Sequence, residues 1–433
     1  MISFVILLAI AISISLGYKT KINTGIFAMS FAYIIGCFVL NLKAGEVISM
    51  WPIYIFFVIF SVSLFYNFAL VNGTLEKLSM HLLYACRKVP HMLPFAIFFA
   101  ATLIAGLGAG FFTVMAFMSA ITLMLCEKTG ISKFVGGVAV NYGALAGANF
   151  MTSQSGIIFI SFMKVSGYND SVAFSYATAI FVTTMIIPIL VISGLMLFTD
   201  NRKILSKNHT IEKPERFEPK QKTTLYLIVL MIVLVLAAPI LHEILPYNNT
   251  ITFINSKMDI GLIAIMFSLV ALILKLADEK VVIAKVPWSL LIMICGVGML
   301  ISVGIKAGAI KLLASWIGGN LPSVMVPIVL SIIGGIMAAI SSTLGVVTPA
   351  IFPIIPSIAD ATGINPMVLF TSLIIGAQAA AISPFSAGGS LLLAACSSEE
   401  ERTSFFPRLL FKAVPMCLAV SIIVSIIIFI IFK

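Results

Sequence analysis

Long apolar stretches separated by short polar loops run along the whole chain. A helix needs about 20 largely apolar residues to cross the hydrocarbon core of a bilayer, so this pattern predicts an all-α polytopic membrane protein. The stretches lie at roughly 1–17, 22–41, 51–71, 93–126, 134–164, 171–198, 224–241, 259–276, 288–306, 322–361, 366–396 and 409–432.

Two of these stretches are too long for a simple crossing, and each is interrupted near its middle. The stretch at about 93–126 is broken by a glycine-rich segment, 106–110, and the stretch at about 322–361 by the polar segment 341–345. Two arms of about 17 residues each are shorter than a full span. Both stretches are therefore predicted to be re-entrant hairpins, which enter the membrane and return without crossing it.

The stretch that follows each hairpin is also interrupted. The first, about 134–164, contains a run of small and polar residues at 147–156, and the second, about 366–396, contains a similar run at 381–389. Non-helical backbone is tolerated at membrane depth only where protein or a wet cavity satisfies it. Hairpin tips and helix breaks are therefore the expected ligand-binding places.

An internal repeat relates these features. Residues 93–156 align with residues 326–389 at a constant offset of 233 without a gap, and 14 of 64 positions are identical. The sequence Thr-Gly-Ile recurs at 129–131 and 362–364. The gapless length of the alignment and the shared Thr-Gly-Ile sequence indicate a duplication, as in many transporters.

Counting crossings predicts how the two halves are oriented. Each half, 1–198 and 224–433, contributes five crossings and one hairpin, and five is odd, so the second half is predicted to be inverted. The linker 199–223 carries seven Lys or Arg residues against four acids, and short segments such as the one with Lys280 and Lys285 are also basic. The positive-inside rule then places these segments in the cytoplasm and both termini outside.

Composition excludes several classes of protein. Of 433 residues, 61% are hydrophobic and 10% are charged, which excludes a water-soluble protein. The net charge of +10 is spread over short loops without a basic patch, so no nucleic-acid partner is expected. The first stretch has no preceding positive charge, which argues against a cleaved signal peptide. The six cysteines lack metal-like spacing, and no catalytic triad or phosphate loop is evident, so no cofactor and no enzyme activity are expected.

Because no Lys or Arg lies in the middle of a predicted span, an anionic substrate would be held by helix N-termini, hydroxyls and amides. Thr348-Pro349 and Ser383-Pro384 each resemble a capping hydroxyl followed by proline at the first helical position, and they are predicted to start half-helices. The candidate substrate ligands in the breaks and at these starts are Asn149, Thr152, Ser153, Gln154, Thr348, Ser383 and Ser386.

The same breaks expose carbonyls that could coordinate a hard cation such as sodium. Proton coupling usually needs an intramembrane carboxylate or histidine, and Glu127 and Asp360 lie at hairpin ends, so sodium is favoured. Many membrane hydroxyls and amides serve helix packing instead, and Asn141 and Gln378 are predicted to make interhelical hydrogen bonds. The candidate cation ligands are Gly108, Ala109, Gly110, Gly147, Ser341 and Ala381.

The N-terminal region resembles a known family. The segments 21–25 (Lys-Ile-Asn-Thr-Gly) and 27–36 (Phe-Ala-Met-Ser-Phe-Ala-Tyr-Ile-Ile-Gly) are similar to the start of the malonate/dicarboxylate carrier (MatC-type) family. The inverted halves with hairpins resemble the wider ion transporter superfamily, which includes the divalent anion/sodium symporters. This resemblance implies a homodimer that moves its hairpin-bearing core against a scaffold in an elevator-like displacement.

The symporters carry Ser-Asn-Thr at each hairpin tip, where it contacts the substrate carboxylate and helps to form a sodium site. Here the second tip has Ser341, Ser342 and Thr343, with serine in place of asparagine. The resemblance therefore implies a substrate-binding role for these three residues. The first tip has 108–110 (Gly-Ala-Gly), for which only a backbone role is implied, so the number of cations stays open.

The sequence therefore predicts a carrier in the inner (cell) membrane, with lipid, a coupling cation and a small carboxylate as partners. The resemblance suggests a C3–C4 dicarboxylate such as malonate. An anion channel, a proton-coupled carrier and a carrier for another anion, such as arsenite or sulfate, remain alternatives. A membrane enzyme is disfavoured, since no acid, base or metal-binding residues converge.

Overall fold

The computed structural model describes residues 2–85, 92–198, 214–245, 248–308, 317 and 319–432. These residues are helical with turns, and they contain no strand. Among them, seven helices are long and apolar enough to cross a membrane, or eight if one bent pair forms a single span. The prediction of an all-α polytopic membrane protein is confirmed, while the count of five crossings in each half stays a prediction.

The described residues of the predicted first half contain ten α-helices. Their bounds are α1 Ile2–Thr20, α2 Thr24–Tyr33, α3 Ala44–Ser49, α4 Ile53–Val71, α5 Thr74–Ala85, α6 Leu93–Ile104, α7 Gly110–Thr129, α8 Lys133–Ala148, α9 Gln154–Val165 and α10 Asp170–Phe198. The predicted hairpin is α6 and α7, and the predicted broken helix is α8 and α9.

Twelve further helices follow in the described residues of the second half. Their bounds are α11 Pro219–Ile244, α12 Asn249–Lys257, α13 Ile260–Ile273, α14 Glu279–Ala284, α15 Trp288–Lys306, α16 Met325–Ile340, α17 Thr348–Ile351, α18 Ile355–Thr362, α19 Pro366–Ala379, α20 Ala387–Ala394, α21 Glu399–Arg408 and α22 Val414–Phe432. Here α16 to α18 form the counterpart of the first hairpin, and α19 and α20 form the second broken helix.

Close contacts along α8 show that the chain reverses between α6 and α7. The backbone of three α8 glycines lies against the preceding helices: Gly136 against Cys126, Gly143 against Phe98 and Gly147 against Thr102. Helix α6 therefore runs parallel to α8, and α7 runs antiparallel to it. Such a reversal is the geometry of a hairpin. The turn contains Gly108 at φ +98° and Gly110 at φ +69°, a region that favours glycine.

Several local features recur at positions 233 residues apart. Gly143 lies against Phe98, and Gly376 lies against Ser331 in the same way. Gly130 and Gly363 both end a helix in the left-handed conformation. The breaks share backbone hydrogen bonds: Ser153 N–H to the Phe150 carbonyl at 2.8 Å, and Ser386 N–H to the Ser383 carbonyl at 2.9 Å. These recurrences are what a duplication predicts, and the inversion of the second half stays a prediction.

The predicted helix start at Thr348 is wrong. The chain is already helical from Thr343, in a π-helical turn, Thr343–Val347, that leads directly into α17. Ser342 is the N-cap, because its backbone is extended and its hydroxyl accepts a hydrogen bond from Gly345 N–H at 3.1 Å. The Thr348 hydroxyl instead donates to the Thr343 carbonyl at 2.9 Å. The helix N-terminus therefore lies at the hairpin tip itself.

The predicted helix start at Ser383 is also wrong. Residues 380–386 form turns, and α20 begins at Ala387 with Ser386 as its N-cap. The Ser383 hydroxyl accepts from Phe385 N–H at 3.3 Å, which closes a local turn rather than a helix. The second break is consequently longer than the first, which covers residues 149–153.

Some predictions fall on residues outside the described ranges. They are residues 199–213 of the linker and residues 86–88 of the segment 74–88, which the sequence predicts to be amphipathic and to lie at a membrane face. The earlier part of that segment is α5. Most of a second such segment, predicted at 307–318, also falls outside them. The division of the chain into two halves and a linker stays a prediction.

Candidate functional site

The first hairpin tip and the first helix break meet in one place. The Ser153 hydroxyl donates to the Ala105 carbonyl at 2.5 Å, and the backbone of Gly110 lies against the Gln154 side chain. Both contacts join the turn of the hairpin to the start of α9. The structure therefore brings together the tip residues 108–110 and the break residues that the sequence singled out.

A polar cleft of about 70 Å³, which we call the tip cleft, opens at this junction. Its walls are formed on one side by residues 108–110, Thr113 and Gln154, and on the other by α4 and by the segment after α14. The side chains of Thr113 and Gln154 have no hydrogen-bond partner among the described residues. The cleft therefore offers free polar groups beside the tip. Its other polar lining residues are Ser63, Tyr66, Asn67 and Lys285.

A second cavity, of about 270 Å³, lies between α9 and α10 on one side and α4, α11, α12 and α13 on the other. We call it the interhelical cavity. Thr152 of the first break is one of its lining residues. This side chain is 1% exposed, and its hydroxyl has no partner among the described residues. An unpaired buried hydroxyl costs free energy unless water or a ligand satisfies it, so Thr152 is a candidate ligand.

Charged groups surround the other end of the interhelical cavity. Lys164 at the end of α9 forms an ion pair with Asp170 at 2.7 Å and donates to the Tyr54 hydroxyl at 3.1 Å. The Tyr54 hydroxyl donates to Asp259 at 2.9 Å. Two carboxylates and one ammonium give this end a formal charge of −1. It is therefore better suited to a cation than to an anion.

Tyr66 of α4 stands between the two cavities. Its ring covers Gly108 so closely that a side chain at position 108 would overlap it. Its hydroxyl donates to the Thr152 carbonyl at 3.2 Å, and the residue is 3% exposed. Tyr66 lines the tip cleft, whereas Thr152 lines the interhelical cavity. This side chain therefore separates two cavities that reach the same break.

The broken helices of the two halves are tied together by a pair of amides. Asn149 and Gln378 exchange two side-chain hydrogen bonds, at 3.0 and 2.9 Å, and the Asn149 amide also donates to Thr184 at 3.1 Å. The Tyr142 hydroxyl donates to the Ala379 carbonyl at 2.8 Å nearby. The interhelical bond predicted for Gln378 is confirmed. Asn149, a predicted substrate ligand, has its amide engaged by protein partners instead.

We expect Asn149→Leu alone to destabilise the protein by about 1–3 kcal/mol, because Gln378 is then left buried without its partner. In the double variant Asn149→Leu/Gln378→Leu, both partners become apolar, so it should lose less than the sum of the two single changes. Thermal unfolding of the four detergent-purified proteins measures this cycle. Strictly additive losses would show that the pair is not coupled.

The predicted hydroxyls of the second tip and break are mostly engaged by their own backbone. Ser341 donates to the Met337 carbonyl at 2.5 Å, and Ser386 donates to the Ser383 carbonyl at 2.8 Å. Thr343 has no side-chain partner among the described residues. The second tip packs against α15, where Gly345 meets Met293. None of the residues 341–343 lines the tip cleft or the interhelical cavity.

Some of the candidate cation ligands line a cavity, whereas others are already bonded within the protein. Residues 108–110 line the tip cleft, and the Gly147 carbonyl accepts from Phe150 N–H at 3.0 Å. The Ala381 carbonyl accepts from the Ser386 hydroxyl at 2.5 Å and, like the Asn141 side-chain oxygen, lies against Gly388. Within the described residues no group of three or more His, Cys, Asp or Glu could hold a metal ion. A cation here would therefore depend on carbonyl, hydroxyl and amide oxygens.

The interhelical hydrogen bond predicted for Asn141 is wrong within the described residues. Its side chain is fully buried, and neither its oxygen nor its nitrogen has a partner there. The small residues Gly136 and Gly143 let α8 approach α7 and α6 closely, which brings Asn141 against packed apolar and backbone surfaces. An amide oxygen without a partner is the type of ligand that a hard cation uses.

The pattern of polar residues along α4 is a signal from which the α4 side of the tip cleft could have been predicted. Tyr66 and Asn67 lie three and four positions after Ser63 in an otherwise apolar helix, so the three side chains share one face. A polar face on a membrane helix must meet protein or water. Lys285 had no comparable signal, since it follows a short helix and resembles an ordinary lysine at the membrane face.

An all-helical membrane protein with interrupted helices and two cavities that end at one break has the architecture of a transport protein. The comparisons agree with that class. Residues 1–148 match the family model described as dicarboxylate carrier protein MatC N-terminus. The resemblance named from the sequence is therefore confirmed over this part of the chain. A comparison with curated protein sequences finds no match.

Two solved structures share the fold. The Alcanivorax borkumensis YdaH transporter is 16% identical with a TM-score of 0.59, over 92% of this chain and 88% of that chain. Neisseria gonorrhoeae MtrF, described as illuminating a class of antimetabolite efflux pumps, is 13% identical with a TM-score of 0.55, over 91% of this chain and 84% of that chain. The matched family and both structures are carriers or transporters, not enzymes.

Proposed function

We propose that this protein is a secondary active transporter for a small carboxylate, most simply a C3–C4 dicarboxylate such as malonate. The observation that carries the proposal is the junction of the first tip with the first break, where Thr152 and Gln154 present polar groups that have no partner among the described residues. The match of residues 1–148 to a dicarboxylate carrier family supports the choice of substrate class.

The arrangement of the two cavities favours a carrier over a channel. A channel needs one continuous path, whereas here Tyr66 stands between the tip cleft and the interhelical cavity. A binding place that is reached from two sides and closed between them is what alternating access requires. In keeping with the family resemblance, we further propose a homodimer in the inner membrane, with both termini outside and an elevator-like motion of the core.

We propose that a cation gradient drives transport, with sodium favoured over protons. Asn141 supports this choice, since its buried amide oxygen has no partner among the described residues and lies against Gly388, just after the second break. Gln154 in the tip cleft and Thr152 at the interhelical cavity are the proposed side-chain ligands of the substrate, one on each side of the break, and a role for Thr343, which lines neither cavity, stays a prediction. The other predicted residues of the tips and breaks, which are already bonded, would act through their backbone and by holding the tips in place.

A thermal-shift screen of the purified protein tests the function directly. We expect a dicarboxylate to raise the unfolding temperature in sodium but not in choline, since a ligand that binds only the folded state stabilises it. Uptake into proteoliposomes should then require an inward sodium gradient. Stabilisation without any sodium dependence would favour proton coupling, and single-channel currents without exchange would favour a channel.

Two variants test the assigned site in the same assays. Thr152→Val keeps the shape of the side chain and removes a hydroxyl that no described residue bonds, so folding should be unaffected. Together with Gln154→Leu, it should weaken substrate binding about tenfold or more. Ser193→Ala, which removes a hydroxyl bonded within α10, serves as the matched control. Normal binding by both variants would show that the site is wrongly assigned.

A further inference from the structure

Lys285 places a positive charge at the wall of the tip cleft. It lies directly after α14, and it forms no ion pair with an acidic group among the described residues. Its backbone is fixed, because Lys285 N–H donates to the Val281 carbonyl at 3.1 Å and Asn67 donates to the Val282 carbonyl at 3.1 Å. Val282 itself is 1% exposed. The support beneath the lysine is therefore rigid, although its side chain reaches solvent.

The charge of this cleft differs from that of the interhelical cavity. No acidic residue lines the tip cleft, so Lys285 gives it a formal charge of +1. In the interhelical cavity, Lys164 is paired with Asp170 and stands near Asp259, which leaves a formal charge of −1. The two cavities that Tyr66 separates are thus opposite in sign, and an anion is attracted more strongly to the tip cleft than to the interhelical cavity.

The uncharged groups of the cleft complete an anion site. Gln154 and Thr113 come from the broken helix and the hairpin, and both offer donors that no described residue uses. Lys285 faces them from the other wall, on a segment that joins α14 to α15. A carboxylate in this cleft can therefore accept from an ammonium on one side and from neutral donors on the other.

We infer that Lys285 binds one carboxylate group of the substrate in the tip cleft in this conformation. The inference rests on the proposed function for the identity of the anion. It assigns to Lys285 the selection of charged substrates over neutral analogues. Because Lys285 and Gln154 belong to different parts of the fold, a substrate held here bridges the segment after α14 and the first broken helix.

The test compares Lys285→Gln with Lys280→Gln. Lys280 lies on α14, the short helix that Lys285 directly follows. Lys280 is exposed and does not line the cleft, so its loss removes the same charge from the same face. We expect Lys285→Gln to raise the KM for a dicarboxylate about 10- to 100-fold, the usual effect of losing a hydrogen bond to a charged group. Lys280→Gln should leave it unchanged, and Lys285→Arg should restore much of the affinity.

A neutral analogue provides a second readout. Wild-type protein should prefer malonate to its monoamide, and Lys285→Gln should lose that preference, which a purely structural role would not change. If Lys285→Gln behaves like Lys280→Gln while Thr152→Val and Gln154→Leu impair transport, this inference is wrong and the proposed function stands.

Failure of the carboxylate proposal alone would give a different result. If wild-type protein responds to no carboxylate but is stabilised by sulfate or phosphate, and Lys285→Gln removes that response, the anion site stands and the carboxylate proposal falls. If no anion of either kind changes the unfolding temperature of any of these proteins, both ideas are overturned. Each measurement uses the full chain in detergent or in proteoliposomes.

Discussion

Gly108→Ala is expected to reduce transport about 100-fold or more, the largest effect of any single change to the first tip. Gly108 has φ +98°, where a residue with a side chain is strained, and its new methyl group would overlap the Tyr66 ring. Tyr66 is 3% exposed, and its hydrogen bond to the Thr152 carbonyl holds the ring in place. The tip must therefore shift away from the break. Uptake into proteoliposomes, alongside thermal unfolding, measures the loss.

Gly167→Ala separates the two causes of that loss. Gly167 has φ +99°, nearly the same conformation, but nothing lies within 4 Å of the position that a side chain would take. It should therefore carry the backbone strain, roughly 1–2 kcal/mol, without the overlap. If Gly167→Ala impairs transport as much as Gly108→Ala, contact with Tyr66 is not the reason. Wild-type transport by Gly108→Ala would exclude the tip from the mechanism.

Tyr66→Ala is expected to abolish concentrative uptake while downhill movement of the substrate continues. Removing the ring joins the tip cleft to the interhelical cavity, so substrate and cation can pass without being coupled. Tyr66→Phe keeps the ring and loses only the hydrogen bond to the Thr152 carbonyl, so it should still concentrate substrate. Labelled-substrate uptake and efflux, with and without a sodium gradient, distinguish these results.

Phe65→Ala is the matched control for the Tyr66 prediction. Phe65 is the neighbouring residue on α4, is 1% exposed and has a side chain of nearly the same size. Both alanine variants should lose stability, by about 3–5 kcal/mol, because each leaves a cavity in a packed interior. Only Tyr66→Ala should uncouple transport. Equal uncoupling in both variants would attribute the effect to general loosening of α4.

The main features of the fold could be predicted because they depend on local sequence. Apolar stretches of sufficient length require helices in a membrane, and polar or glycine-rich interruptions mark where those helices end. The breaks near Asn149 and Ser383 were found in this way. The starts of the half-helices were placed wrongly, because Thr-Pro and Ser-Pro pairs also occur in turns and inside helices. Only the folded backbone shows that Ser342 and Ser386 are the caps.

The site was less predictable because its members come from distant parts of the chain. Nothing in the local sequence of Gln378 identifies Asn149 as its partner, and nothing near Lys285 indicates that it faces Gln154. Hydroxyls such as those of Ser153 and Ser386 fit a ligand-binding pattern and a packing pattern equally well. The folded structure decides between the two, since within its described residues some hydroxyls have partners and others, such as that of Thr152, do not.

The amide pair between the two halves also bears on how this protein is made. Asn149 and Gln378 are 229 residues apart, so a ribosome that adds about 5–20 residues per second needs roughly 10–45 seconds to supply the second amide after the first. Throughout that interval the first broken helix has a polar group at membrane depth without its final partner. The nascent first half must therefore stay open to water, lipid headgroups or an insertion factor until α19 arrives.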